Sequence, residues 1–153
     1  MTGRPLSGVE RVWLVADRLS PPFVNQLVLE GEGSVDVDAL RAAVDTVAGW
    51  PLGSARLTGA LRRARWSPDG APIRLRSVDG AQWDARGPTG APFLNDPLPP
   101  ATGPLCELLV VAGSPPRLVL RSAHAFMDGR GTLELSAALF ALARGEAVDP
   151  IEL

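Results

Sequence analysis

The sequence contains no lysine and no tyrosine, one histidine and one cysteine. Without lysine, Schiff-base and lysine-nucleophile chemistry is excluded, and without tyrosine so is phenolic acid–base chemistry. One histidine and one cysteine cannot supply the three or four ligands that a zinc site draws from His, Cys and carboxylates, so no metal is expected. A single cysteine forms no internal disulfide, which fits the cytoplasm. Charge of one sign is also missing. The 15 basic residues, all arginine, meet 17 acidic ones for a net charge of −2, without the basic excess of a nucleic-acid binder. Long hydrophobic runs are absent too. Residues 12–16 are bounded by Arg11 and Asp17, too short for a signal-peptide core, and residues 105–112 are interrupted by Glu107. The expectation is a cytoplasmic protein with no membrane and no nucleic-acid partner.

What is present is the composition of a globular domain. With 153 residues, 46% hydrophobic and 21% charged, the chain suits one domain rather than a disordered segment. Ser7-Gly8-Val9-Glu10 has capping-box spacing, and Val9, Val12, Trp13 and Ala16 follow at helical intervals. Residues 24–29 read as a strand. Asp36 is placed to cap a helix with Leu40, Val44 and Val47 on its apolar face, and Trp50-Pro51 ends it. Residues 61–66 and 73–78 read as short strands, with Asp69-Gly70 between them as a hairpin signal. The Pro-rich stretch 87–103 reads as an ordered wrap anchored by Phe93, Leu94 and Leu98. Strands at 105–111 and 117–123 follow, then a helix over 132–144 with Gly145 at its end. This order predicts an α+β domain, a mixed sheet with helices packed on it.

The chemistry centres on the single histidine. Residues 118–123 deliver His124 at a strand's C-terminal end, and Asp128-Gly129 lie just beyond. Strand ends and the loops after them are where rigid scaffolds place reactive groups, and imidazole exchanges protons near neutral pH. A lone histidine beside a core strand also reads as a packing residue. Ser122 shares a strand face with His124, but no nucleophile elbow accompanies it. A metal held by His124 and Asp128 lacks further ligands. Arg62, Arg63 and Arg65 read as a solvated basic face or a docking face for an acidic partner, and Cys106 as a small core residue.

His124-Ala-Phe-Met-Asp128-Gly129 resembles the H-x-x-x-D-G signature of the chloramphenicol-acetyltransferase-like superfamily, which includes the condensation domains of nonribosomal peptide synthetases. Asn25–Gly31 with residues 35–43 resembles the first strand and following helix of that group. Residues 49–57 lie where it carries a H-P-x-L-R element, and residues 93–98 and 103–105 resemble the loop and strand before the signature. The resemblance covers nearly the whole chain and implies a single lobe, residues 1–153, equivalent to the N-terminal lobe of a two-lobed enzyme. It also implies His124 as the base that deprotonates, or positions, an attacking amine or hydroxyl. Asp128 would be a structural anchor paired with an arginine, Arg56 first and Arg11 next, and Gly129 would permit a tight turn. No cofactor would be tightly bound. The substrate would be a phosphopantetheine thioester on an acyl or peptidyl carrier protein or CoA, in antibiotic-type biosynthesis.

Several positions depart from that pattern. Ala123 stands where condensation domains have a first histidine, Trp50 replaces the usual His, and Ser54 replaces an expected Arg. A second lobe is absent from the sequence, so a separate C-terminal lobe or a homodimer is expected to close the site. The alternative is a catalytically silent one-lobe module that docks a carrier protein or partner enzyme.

Overall fold

Ser7 and Glu10 open the first helix reciprocally. In the computed structural model, which describes residues 3–153, the Glu10 amide donates to the Ser7 hydroxyl at 3.2 Å and the Ser7 amide to the Glu10 carboxylate at 2.6 Å. This capping box starts α1 (Gly8–Leu19). Asp36 starts α2 (Val37–Ala48) by accepting from the Ala39 amide at 2.9 Å. Asp128 starts α3 (Gly129–Ala143) in the same way. α2 buries Leu40, Ala43, Val44 and Val47 and packs on α3, which buries Leu135, Ala138 and Leu139. α1 sits more shallowly and buries no residue completely. Trp13 and Leu14 lean on the core, while Val9, Val12 and Leu19 are 62%, 60% and 81% exposed. The expected apolar face of α1 is therefore divided, because only its Trp13–Leu14 side meets the core.

The main sheet has four strands in the order β2 (Val24–Glu30), β7 (Arg117–Ala123), β6 (Cys106–Ala112), β5 (Arg74–Asp79). Neighbours run antiparallel except β5 and β6, which are parallel. Two helices cover one face, where Leu27, Leu108, Leu118 and Leu120 pack. The other face lies under the stretch that follows β5, through Trp83, Phe93 and Leu94 against Leu109 and Val119. With both faces covered, every residue of β7 is buried, giving a continuous run instead of an alternating one. The α+β class and the ordered Pro-rich wrap match the sequence reading, with Phe93, Leu94 and Leu98 buried.

The hairpin at Asp69-Gly70 does not form. β4 (Arg65–Ser67) pairs with β3 (Arg56–Thr58) and β1 (Arg4–Pro5) in a separate small sheet, and residues 61–63 form a short 3₁₀ turn. The turn residues are engaged elsewhere. Asp69 accepts a two-pronged bond from Arg56 at 2.9 and 2.7 Å, and the Gly70 amide donates to the Ser54 carbonyl at 2.7 Å. A Cβ on Gly70 would stand 2.7 Å from the Arg56 Cβ, so only glycine fits this crossing. The chain is thus directed past β3 and into the parallel β5–β6 pairing.

The wrapped face of the sheet also takes charge. Glu107 and Arg121 are fully buried and paired through Arg121 Nη1. Arg121 Nη2 donates to the Leu94 carbonyl at 2.9 Å and to the Asp96 carbonyl at 2.6 Å. Arg74 and Arg76 close on the same Glu107 oxygen at 2.9 and 3.0 Å, and Arg76 reaches Asp96 at 2.7 Å. Burial pushes the Glu107 carboxyl up, but the surrounding arginines, Arg76 foremost, more than reverse this and hold it below its ordinary range.

Candidate active site

β7 ends at Ala123, and the next four residues turn the chain into α3. The turn is over-determined by hydrogen bonds. The amides of Phe126 and Met127 donate to the Ala123 carbonyl at 2.9 and 3.1 Å, and the His124 amide donates to the Phe23 carbonyl at 3.1 Å. Asn25, on β2, donates its side-chain amide to the Met127 carbonyl at 2.7 Å. Thr132 donates to the Asp128 carbonyl at 2.9 Å and shares a 2.8 Å hydroxyl contact with Ser122. Ser122 is fully buried in that contact, which rules out its use as a nucleophile beside His124.

The His124 ring lies among aromatic neighbours. Trp13 of α1 stacks on it at 4.6 Å between centroids and 16° between planes, and Phe23 at 5.4 Å and 7°. Trp13 and Phe23 stack on each other at 5.5 Å. Offset stacks at these separations are favourable and fix a ring's plane. His124 Nδ1 is buried and has no hydrogen-bond partner among the described residues. The half-buried ring borders an open cleft of about 400 Å³, lined also by Arg4, Glu10, Trp13, Phe126 and Leu153.

Glu10 is fixed on the cleft wall by Arg4, which donates to it at 3.1 and 2.5 Å, and by Trp66 Nε1 at 3.1 Å. Burial raises its carboxyl, but the Arg4 and Ser7 hydrogen bonds outweigh burial and bring it below the ordinary value. Cys106 lies in β6 away from this chemistry. Its thiol is pushed by burial up to about 12 and is inert at neutral pH.

Two expectations about the motif need correction. Asp128 pairs with neither Arg56 nor Arg11. It is exposed, and its carboxylate accepts from the Gly131 amide at 2.8 Å as the cap of α3. Arg56 is committed to Asp69 in the small sheet, and Arg11 directs a guanidinium nitrogen to the Arg62 carbonyl at 3.5 Å. The first amides of a helix have no partner within it, and Asp128 satisfies one of them. The tight glycine is also a different one. A Cβ on Gly129 would meet nothing within 4 Å, whereas one on Gly131 would press to 2.7 Å from the Met127 side chain.

Of the expected residues, the structure thus brings His124, Asp128 and Gly129 together and leaves Arg56 apart. Trp13, Phe23, Asn25 and Thr132 join the site without having been anticipated. Trp13 carried a partial signal, as an aromatic in an amphipathic helix. Asn25 carried another, as a polar residue at the start of a strand. In the basic run, Arg65 is tied to the Gly3 carbonyl at 2.9 and 2.5 Å, and Arg62 and Arg63 are exposed. Among the described residues no group of three metal-ligating side chains converges, and no helix is long and apolar enough to cross a membrane.

No protein-family model matches the sequence, and no curated protein matches it. Solved structures do match. The first condensation domain of the calcium-dependent antibiotic synthetase, in complex with a substrate analogue, aligns over 100% of this chain and 41% of its own, with TM-score 0.72 and 20% identity. The tallysomycin biosynthesis protein TlmII aligns over 96% and 39%, with TM-score 0.72 and 22% identity. The starter condensation domain of rhizomide synthetase, in complex with C8-CoA, aligns over 99% and 38%, with TM-score 0.71 and 19% identity. The chain spans about 40% of the length of the structures it matches. It has the fold of a single lobe of a condensation domain.

Proposed function

We propose that this chain is the N-terminal, His124-bearing lobe of a condensation-type acyltransferase. The enzyme moves an acyl group from a pantetheine thioester, on an acyl or peptidyl carrier protein or on CoA, to an amine or hydroxyl acceptor. One observation carries the reading: the only histidine stands at a rigid strand-to-helix turn, beside an open cleft, on a fold otherwise found in condensation domains. His124 contacts the acceptor as base or positioning group, and Asp128 orients the turn by capping α3. The rest of the cleft is walled by a C-terminal lobe, on a separate or longer chain, or by a second copy of this one. The products are of the antibiotic type, as the likeness to a condensation domain of the calcium-dependent antibiotic synthetase suggests, and the work is done in the cytoplasm. A silent docking module is the second reading, favoured by the exposed apolar stripe Val9, Val12, Val15 and Leu19 on α1.

The test is acyl transfer in the complete two-lobe assembly. His124→Ala is expected to slow transfer at least about a hundredfold while leaving the fold intact, the scale of a lost acid–base group. A rate within a few-fold of the parent removes His124 as the base, and a parent assembly that transfers nothing leaves the docking module.

A further inference from the structure

We propose that Asn25 and Thr132 position His124, by holding the turn that carries it in place of an arginine–Asp128 pair. The observation is where the carbonyls at the far end of that turn go. Asn25, from β2, donates to the Met127 carbonyl at 2.7 Å, and Thr132, from α3, donates its hydroxyl to the Asp128 carbonyl at 2.9 Å. A threonine often bonds back to the carbonyl four residues earlier in its helix. Here the same hydroxyl also sits 2.8 Å from that of Ser122, which ties α3 to β7. At the near end, the His124 amide is held by the Phe23 carbonyl. The imidazole thus hangs from the first residue of a turn whose last residues are pinned to β2, β7 and α3. Any shift of the turn carries the ring with it.

The direction of each bond follows from its partners. A carbonyl only accepts, so the Asn25 atom facing Met127 is the amide nitrogen. Thr132 has one hydroxyl proton, and the Asp128 carbonyl claims it, so Ser122 is the donor between the two hydroxyls. Donation therefore runs from Ser122 to Thr132 to the Asp128 carbonyl, with the Asn25 amide approaching Thr132 Oγ1 at 3.5 Å. Ser122 and Thr132 are 0% and 3% exposed, and a buried network with its members satisfied fixes a single geometry. The pair that the resemblance implies is engaged elsewhere, Arg56 with Asp69 and the Asp128 carboxylate with the Gly131 amide. Asn25 and Thr132 stand behind the turn, outside the lining of the cleft, and act only through His124. Their effect on rate rests on the acyl-transfer reading.

Because His124 is the only histidine, its ring-proton signals are unique in a magnetic resonance spectrum of the chain. Stacking on Trp13 at 4.6 Å and Phe23 at 5.4 Å displaces them from the free-histidine positions, so they report where the ring sits. Asn25→Ala should return them toward the free positions. Asn25→Asp, which sets a carboxylate oxygen against the Met127 carbonyl, should move them at least as far. Thr132→Val keeps the shape, loses the hydroxyl and should move them, whereas Thr132→Ser should keep them in place. In the complete two-lobe assembly Asn25→Ala should lower kcat by about ten- to a hundredfold, the scale of a misplacement of about 1 Å, with KM changed little. If Asn25→Ala does not fold, Thr132→Val carries both measurements. Parent ring signals in a folded variant would overturn the positioning role. So would displaced signals with kcat unchanged, where His124→Ala is slow. If the parent assembly is inert, or His124→Ala is harmless, the acyl-transfer reading falls alone and the ring signals still decide the placement.

Discussion

Replacing Glu107 by Gln leaves Arg121 without its counter-charge inside the sheet. Both side chains are fully buried, and among the described residues Arg121 keeps the Leu94 and Asp96 carbonyls as partners. Removing one member of a buried ion pair costs about 3–5 kcal/mol. Gln retains an acceptor oxygen, and Arg74 and Arg76 are exposed enough to regain water, so the low end, about 3 kcal/mol, applies. For a domain of this length that corresponds to a melting point lower by roughly 10 °C. Urea unfolding followed by circular dichroism, with the m-value unchanged, measures it. The double variant Glu107→Leu, Arg121→Met removes both charges and should unfold later than Glu107→Gln alone. A single-variant loss under about 1 kcal/mol, or a double variant worse than the single, would refute the assignment of this pair as the buried link between sheet and wrap. The pH dependence has a fixed sign. Since the folded carboxyl titrates below its unfolded value, its contribution is complete above about pH 4.3 and is lost as pH falls through the lower folded value.

Two further substitutions and one reagent probe the remaining claims. Asp128→Ala should destabilise the chain by about 1 kcal/mol through the lost α3 cap, while Asp128→Asn, an equally good cap, should be near neutral; equal losses would mean that charge matters there. Cys106 should resist a thiol reagent in the native state and react only as the protein unfolds, and fast native labelling would contradict its burial.

Features set by neighbouring residues were the ones the sequence made legible. Ser7 and Glu10 are three positions apart, so the cap of α1 could be read directly, as could the Asp36 cap of α2. β6 and β7 stood out because burial on both faces favours apolar residues at successive positions, as at 108–111 and 118–120, although buried Glu107 and Arg121 interrupt the pattern. Asp69-Gly70 misled because the turn signal is local, whereas the Arg56 and Ser54 contacts that claim those residues come from another segment. The same applies to Asp128, for which the resemblance implied an arginine partner while its carboxylate accepts from an amide of the helix that follows. The site's supports were least visible. Asn25 reaches Met127 across 102 positions, and Trp13 meets His124 from a different helix, so no spacing rule relates them.

The placement of His124 between a deep strand and a shallow helix has a dynamic consequence. β7 is buried along its whole length, so the backbone that carries the histidine opens only with global unfolding of the sheet. α1 has no completely buried residue, so the segment that carries Trp13 belongs to a less cooperative unit and detaches at lower free energy. Such a detachment would free the ring plane without melting the sheet. The histidine's attachment and its microenvironment are thus governed by two separate opening equilibria, and whatever covers Val9, Val12 and Leu19 tightens the second while leaving the first unchanged.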